Sequence, residues 1–164
     1  MRTLVVCESM YGNTRRVADA IADGLRESGV AVDVRDVADA PIGLESDVDL
    51  LVVGGPTHAH GLSRATTRAD AKDAPDPSET GLRDWFDALS VPRGLRFATF
   101  DTRINKPRWI TGSAARGATR RLRQRGGRAV ATPLSFFVDG MAGPLATGEL
   151  DRARRWGTDL ARAN

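Results

Sequence analysis

Cysteine is almost missing from this chain of 164 residues. Cys7 stands alone, so no internal disulfide can form, and its place at the buried end of the first predicted strand makes it a small apolar filler. Histidine is confined to His58 and His60, and with no cysteine or further histidine beside them a metal site is discounted. No apolar run is long enough to span a bilayer, and the chain enters its first predicted strand without a basic leader or apolar signal core. The expectation is a cytoplasmic protein with no membrane partner. Negative charge is absent from one long interval. Between Asp101 and Asp139 the residues Arg103, Lys106, Arg108, Arg116, Arg120, Arg121, Arg123, Arg125 and Arg128 are cationic and none is acidic, while the rest of the chain is net acidic against an overall charge of +3. The preference for Arg over Lys is weak evidence of anion recognition, because a genome rich in G and C gives the same bias.

What is present starts at Thr3. The apolar run Leu4-Val5-Val6-Cys7 leads into Glu8-Ser9-Met10-Tyr11-Gly12-Asn13-Thr14, and Val17, Ala18, Ile21 and Leu25 then recur at helical spacing. A strand, turn and helix in this order aim the free N–H groups of the helix's first turn at one point, where the helix dipole also favours negative charge. Ser9, Asn13 and Thr14 supply polar side chains and Gly12 a backbone without a Cβ, so phosphate suits the turn. An ordinary strand-to-helix turn capped by Ser or Thr is the plain alternative.

Further along, residues 30–37 alternate as a partly exposed strand, and Val48-Asp49-Leu50-Leu51-Val52-Val53-Gly54 reads as a strand buried on both faces. It exits through Gly54-Gly55-Pro56-Thr57-His58-Ala59-His60-Gly61. Residues 62–80 are polar and without period, a long loop that suits either a lid or a plain surface excursion. Ser78 or Thr80 opens a helix carrying Leu82, Trp85, Phe86 and Leu89; residues 94–100 form a fourth strand; Ser113 caps a helix with Ala114, Ala115, Ala118 and Leu122 inward. A fifth strand over 129–138 is interrupted near Pro133, Asp139 to Pro144 is a turn, and Thr147 caps a last helix with Leu150, Ala153, Trp156 and Leu160 inside. Five strands alternating with crossover helices give an α/β, three-layer, doubly wound parallel sheet, and the length gives a single domain over residues 1–164.

The run Ser9-Met10-Tyr11-Gly12-Asn13-Thr14 resembles the phosphate loop of flavodoxin-like proteins, whose pattern is Ser/Thr-x-Thr-Gly-x-Thr. Tyr11 replaces the second hydroxyl residue, as in the Tyr-Gly-Asn-Thr version found among flavin-dependent quinone reductases and flavodiiron proteins. Pro56-Thr57-His58 is similar to the family's Pro/Ser-Thr-aromatic loop with His58 in the aromatic place, where imidazole is a weaker stacking surface. Asp101 roughly matches the acidic residue that follows the fourth strand. The family's Tyr is missing there, and Trp109 is either its replacement or, as the sequence slightly favours, an anchor pinning its loop to the body.

The resemblance spans essentially the full chain and implies a flavodoxin-like sheet with strand order 2-1-3-4-5 and FMN as cofactor. The phosphate would lie on Ser9, Met10, Tyr11, Gly12, Asn13 and Thr14. The isoalloxazine would lie between Pro56, Thr57, His58, Ala59, His60 and Gly61 on one side and Asp101, Thr102 and Arg103 on the other. A receiver domain would need clustered acids where Glu8 stands alone, and a nucleotide P-loop would need Gly-Lys-Ser/Thr.

The leading reading is a redox protein that passes electrons through non-covalently bound FMN to a redox partner protein or a small-molecule acceptor. No catalytic side chain is required. The alternatives are a small FMN-dependent quinone or aromatic reductase, and a module that has lost FMN and binds another anion or partner; a deazaflavin would fit a shared ring site. The basic stretch lacks interleaved aromatics and any nucleic-acid-binding motif, which argues against nucleic acid. Arg103, Lys106 and Arg108 should make the potential less negative than that of acidic flavodoxins. Monomer and homodimer are both open.

Overall fold

The computed structural model describes residues 1–58, 61–69 and 80–163. Its elements in chain order are β1 (Arg2–Cys7), α1 (Asn13–Glu27), β2 (Ala31–Asp36), a single 3-10 turn (Val37–Asp39), β3 (Leu50–Pro56), α2 (Ala65–Ala69), α3 (Leu82–Ala88), β4 (Arg96–Ile104), α4 (Arg108–Thr111), α5 (Ala114–Gln124), β5 (Arg128–Ala129), β6 (Leu134–Val138) and α6 (Glu149–Arg162). The strands form one parallel sheet in the order β2-β1-β3-β4-β5, and β6 also pairs with β4.

Alternation along each strand sends side chains to two cores. Leu4, Val6, Leu51, Val53 and Phe97 pack under α3 and α5 with Leu82, Trp85, Phe86 and Leu122. Val5, Cys7, Leu50, Val52 and Phe100 pack under α1 and α6 with Val17, Ile21, Leu25, Phe136 and Leu160. The predicted helix faces are therefore the buried ones, each large apolar side chain contributing roughly 1.5–3 kcal/mol. Cys7 is a buried filler, and burial pushes its thiol up to about 12. Helices α1 and α6 meet backbone to backbone: a Cβ on Gly24 would overlap the Arg154 carbonyl, and one on Gly157 the Ile21 carbonyl. No helix among the described residues is long and apolar enough to cross a membrane.

Several expectations are corrected. The fifth strand is two strands: β5 pairs at Arg96 and Phe97, and β6 from Phe100 to Ile104. Pro133, with no N–H to donate, lies in the gap between them. The 62–80 stretch is not loop throughout, since α2 occupies Ala65–Ala69; residues 70–79 lie outside the described residues. Gly81, not Thr80, precedes α3, with its N–H held by the Asp84 carboxylate at 3.0 Å; Ser78 is among the residues not described. Thr147 does not cap α6. Gly148 does so at a φ of 83°, a conformation that a threonine side chain disfavours. Ser113 caps α5 as expected, accepting from the Arg116 N–H at 3.3 Å.

Candidate functional site

The carboxyl ends of β1, β3, β4 and β6 open on one edge of the sheet, where doubly wound folds place their ligands. The turn from β1 to α1 lies there. Gly12 is the residue before the helix, at a φ of 86° that favours glycine. The Arg15 N–H is held by Ser9 Oγ at 3.2 Å and the Arg16 N–H by the Gly12 carbonyl at 3.0 Å. Among the described residues no acceptor faces the N–H groups of Met10, Tyr11, Gly12, Asn13 and Thr14. Five successive donors with no partner among the described residues, at the positive end of a 15-residue helix, are suited to receive an anion.

A cleft of about 230 Å³ adjoins the turn, lined by Ser9, Met10, Tyr11, Asn13, Thr14, Pro56, Thr57, His58, Thr102, Arg103, Ile104, Val138 and Met141. Its walls are tied together by short bonds. The hydroxyls of Thr14 and Thr102 share a hydrogen bond of 2.8 Å, joining α1 to β4. The Thr57 N–H donates to the Thr102 carbonyl at 2.9 Å, and the Thr57 hydroxyl accepts from the Ala114 N–H at 3.0 Å. Asn13 Nδ2 donates to the Ala142 carbonyl at 3.1 Å, so the 139–144 segment lies against the phosphate-type turn.

His58 is half-buried, and its N–H and carbonyl both bond to Gly61, at 2.7 and 2.8 Å. Burial, assisted by the Arg68 cation, holds its imidazole below the usual pKa, which keeps the ring neutral. Arg103 is 7% exposed at the other wall. Its guanidinium donates to Ser135 Oγ at 3.0 Å, the Lys106 carbonyl at 2.7 Å and Thr111 Oγ1 at 3.1 Å, and lies 5.1 Å from the Phe137 ring centre.

Of the residues expected at a cofactor, the structure gathers Ser9, Met10, Tyr11, Asn13, Thr14, Pro56, Thr57, His58, Thr102 and Arg103 around this cleft. Gly12 shapes the turn from behind, and Gly61 closes the His58 loop. Ala59 and His60 lie outside the described residues. Asp101 does not line the cleft. Its fully buried carboxylate accepts from Ser113 Oγ at 2.6 Å and the Ala115 N–H at 3.0 Å, at the start of α5. Trp109 is 83% exposed, so it is not an anchor, and it does not line the cleft either.

Sequence reasoning missed Ile104, Val138 and Met141. The rule that ligands gather at carboxyl strand ends covers the fifth strand as well as the first, third and fourth, and the Asp139-Gly140-Met141 turn was its visible sign. Also missed was the support behind the cleft. Glu8, 1% exposed, accepts from the Leu82 N–H at 2.8 Å and from the Ser63 hydroxyl. Burial raises its pKa, against the pull of the Leu82 N–H, the Ser63 hydroxyl and Arg68. Arg68 in turn donates to Ser63 Oγ at 3.1 Å and pairs with Asp84 at 2.8 Å, which ties α2 and α3 to the end of β1.

Fold and cleft together define a doubly wound α/β protein with a row of unpartnered N–H groups after its first strand and a cleft beside it. The Flavodoxin family model matches residues 5–156, and the chain belongs to that family. Among solved structures it is similar to flavodoxin 1 from Bacillus cereus, with 23% identity over 99% of this chain and 98% of that one and a TM-score of 0.73. A flavodoxin from the domain Archaea shows 20% identity, coverage of 99% and 97%, and a TM-score of 0.69. A flavodiiron core from Synechocystis shows 20% identity over 99% of this chain but 36% of its own, with a TM-score of 0.65. No curated protein sequence matches the chain.

Proposed function

We propose that this member of the flavodoxin family binds FMN in the cleft and works as a single-domain electron carrier in the cytoplasm. The observation that carries the reading is the row of five N–H groups, Met10 to Thr14, without acceptors among the described residues, at the approach to and start of α1. A phosphate monoester would offer its oxygens to donors of this kind. Ser9 Oγ and Asn13 Nδ2 are already engaged by Arg15 and Ala142, so their part is to hold the turn open for the anion. FMN would supply the one-electron chemistry, and no side chain of this chain has to act as acid, base or nucleophile.

His58, kept neutral, and Thr57 would bound the ring on one side and Thr102 and Arg103 on the other. Arg103 is the cation best placed to act on the ring's potential, because it lines the cleft and is held by three bonds rather than waving in solvent. A fixed positive charge there favours negative charge arriving on the bound group. Each 1.4 kcal/mol of such preference raises a one-electron potential by about 59 mV.

A flavin-dependent reductase is the second reading. The apolar rim of Ile104, Val138 and Met141 favours it, since it would seat a flat organic acceptor. Steady two-electron turnover with a nicotinamide donor separates the two.

The test of both is a visible spectrum of the freshly purified protein and titration of the apoprotein with FMN. Saturable uptake at micromolar or lower concentration is expected, and it should be lost when Gly12→Asp and Thr14→Ala are combined, which places a carboxylate at that row of donors and breaks the bond to Thr102. A colourless protein that ignores FMN would sink the carrier and the reductase together.

A further inference from the structure

The 105–112 segment is held from beneath and displays its least soluble residues outward. Arg103 fixes it at the Lys106 carbonyl and at Thr111 Oγ1, and the Thr111 and Gly112 N–H groups close α4 onto Pro107 and Arg108. On this fixed support Trp109 is 83% exposed and Ile110 is 41% exposed. Lys106 and Arg108 flank them, both exposed and neither ion-paired among the described residues. Met141, 77% exposed, lines the cleft itself, and Ile104, the last residue of β4 before the segment, lines it too. Arg116, exposed and likewise unpaired among the described residues, carries the positive charge on into α5.

A large aromatic held in water on a fixed support, with Lys106 and Arg108 beside it in the chain and no acid between Asp101 and Asp139, has the composition of an interface: an apolar anchor with a charged rim. The sign of the rim selects the occupant. The geometry points to a docking surface for an acidic electron-transfer protein, formed by Trp109 and Ile110 with Lys106 and Arg108 on the 105–112 segment, which leaves β4 at the edge of the cleft that Ile104 and Met141 line. A carboxylate-rich partner would be steered by the rim and would stop against Trp109, next to the walls where electrons would leave. This proposal rests on the electron-carrier reading.

The test uses the full chain, both FMN-loaded and FMN-free, against an acidic [2Fe–2S] ferredoxin as probe, with binding read by calorimetry. Saturable one-to-one binding is expected, weakening at least about tenfold between about 50 and about 300 mM salt. The double variant Lys106→Glu and Arg108→Glu should weaken it by about thirtyfold and Trp109→Ala by about tenfold, with FMN uptake unchanged in each. If FMN is refused while the ferredoxin still binds and the variants still weaken it, the docking surface stands and the carrier reading falls. If FMN is bound but ferredoxin binding is absent, or is indifferent to salt and to both variants, the docking surface is overturned. Tighter binding of a single-stranded oligonucleotide, lost in the same variants, overturns it in favour of nucleic acid; self-association through Trp109 overturns it in favour of a second copy of the chain.

Discussion

The two ends of the cleft are built differently. At the phosphate-type turn the donors belong to the backbone, and their directions follow from one conformation, Gly12 at a φ of 86° leading into α1. At the other end the walls are side chains brought from four segments: Thr57 and His58, Thr102 to Ile104, Val138, and Met141. The first end depends on local chain geometry supported by one long helix, whereas the second depends on bonds between distant segments, such as Thr57 with Ala114 and Arg103 with Ser135. A backbone site therefore tolerates exchange of its side chains and fails when its turn is strained. A side-chain site can be retuned one residue at a time.

The largest expected effect comes from breaking the first end. Gly12→Val puts a branched side chain where φ is positive, which disturbs the turn although, its chain neighbours aside, no atom among the described residues lies within 4 Å of the new Cβ. FMN affinity should fall by at least about a hundredfold in a titration, with the fold retained by circular dichroism. An unaffected affinity would mean that the turn's conformation does not make the site.

Next is the support under that turn. Gly157→Ala forces α6 away from the Ile21 carbonyl and with it shifts α1. A loss of about 2 kcal/mol in urea unfolding is expected, and a neutral result would show that the α1–α6 contact gives way easily. Arg103→Gln addresses the other end. It removes the fixed cation and should lower the one-electron potential by about 50 mV while changing FMN affinity less than Gly12→Val does, which redox titration against a reference dye would check.

The smallest effect is a pH slope from Glu8. Its folded pKa is raised by burial, so the folded state holds a proton that the unfolded state has released. Its contribution to stability is therefore greatest below the ordinary carboxyl pKa and is lost as pH rises through the raised value. Wild-type stability minus that of Glu8→Gln should decline across that window and level off above it; a flat difference from pH 4 upward would mean that Glu8 is not perturbed.

Most of the sheet could be read from the chain. The run Leu50 to Val53 is apolar on both faces because β3 is covered on both, and Val32, Val34 and the polar residues between them alternate because β2 is at the edge. The phosphate-type turn was legible for the same reason, as a strand, a glycine turn and a helix in immediate succession. Less legible was anything resting on partners far apart in sequence. Asp101 looked like a cleft residue by its position after the fourth strand, yet in a nine-residue β4 it is an inward position beneath α5. Trp109 looked like an anchor because large aromatics are usually buried, and only the Arg103 bonds under its loop explain how it is held outside.

Sequence alone determined the strand and helix periodicity, the conformation that Gly12 permits, and the one-sided charge of the 102–138 interval, because the first two depend on residues within a turn or two of one another and the third on composition alone. Tertiary structure decided that Glu8 would be buried under Ser63 and Leu82, that Met141 would share a cleft with Ser9, and that Trp109 would face solvent beside Lys106 and Arg108. Those outcomes depend on which side chains fill the space between elements joined through long crossovers, and packing of that kind is settled only when the whole sheet has closed its two cores.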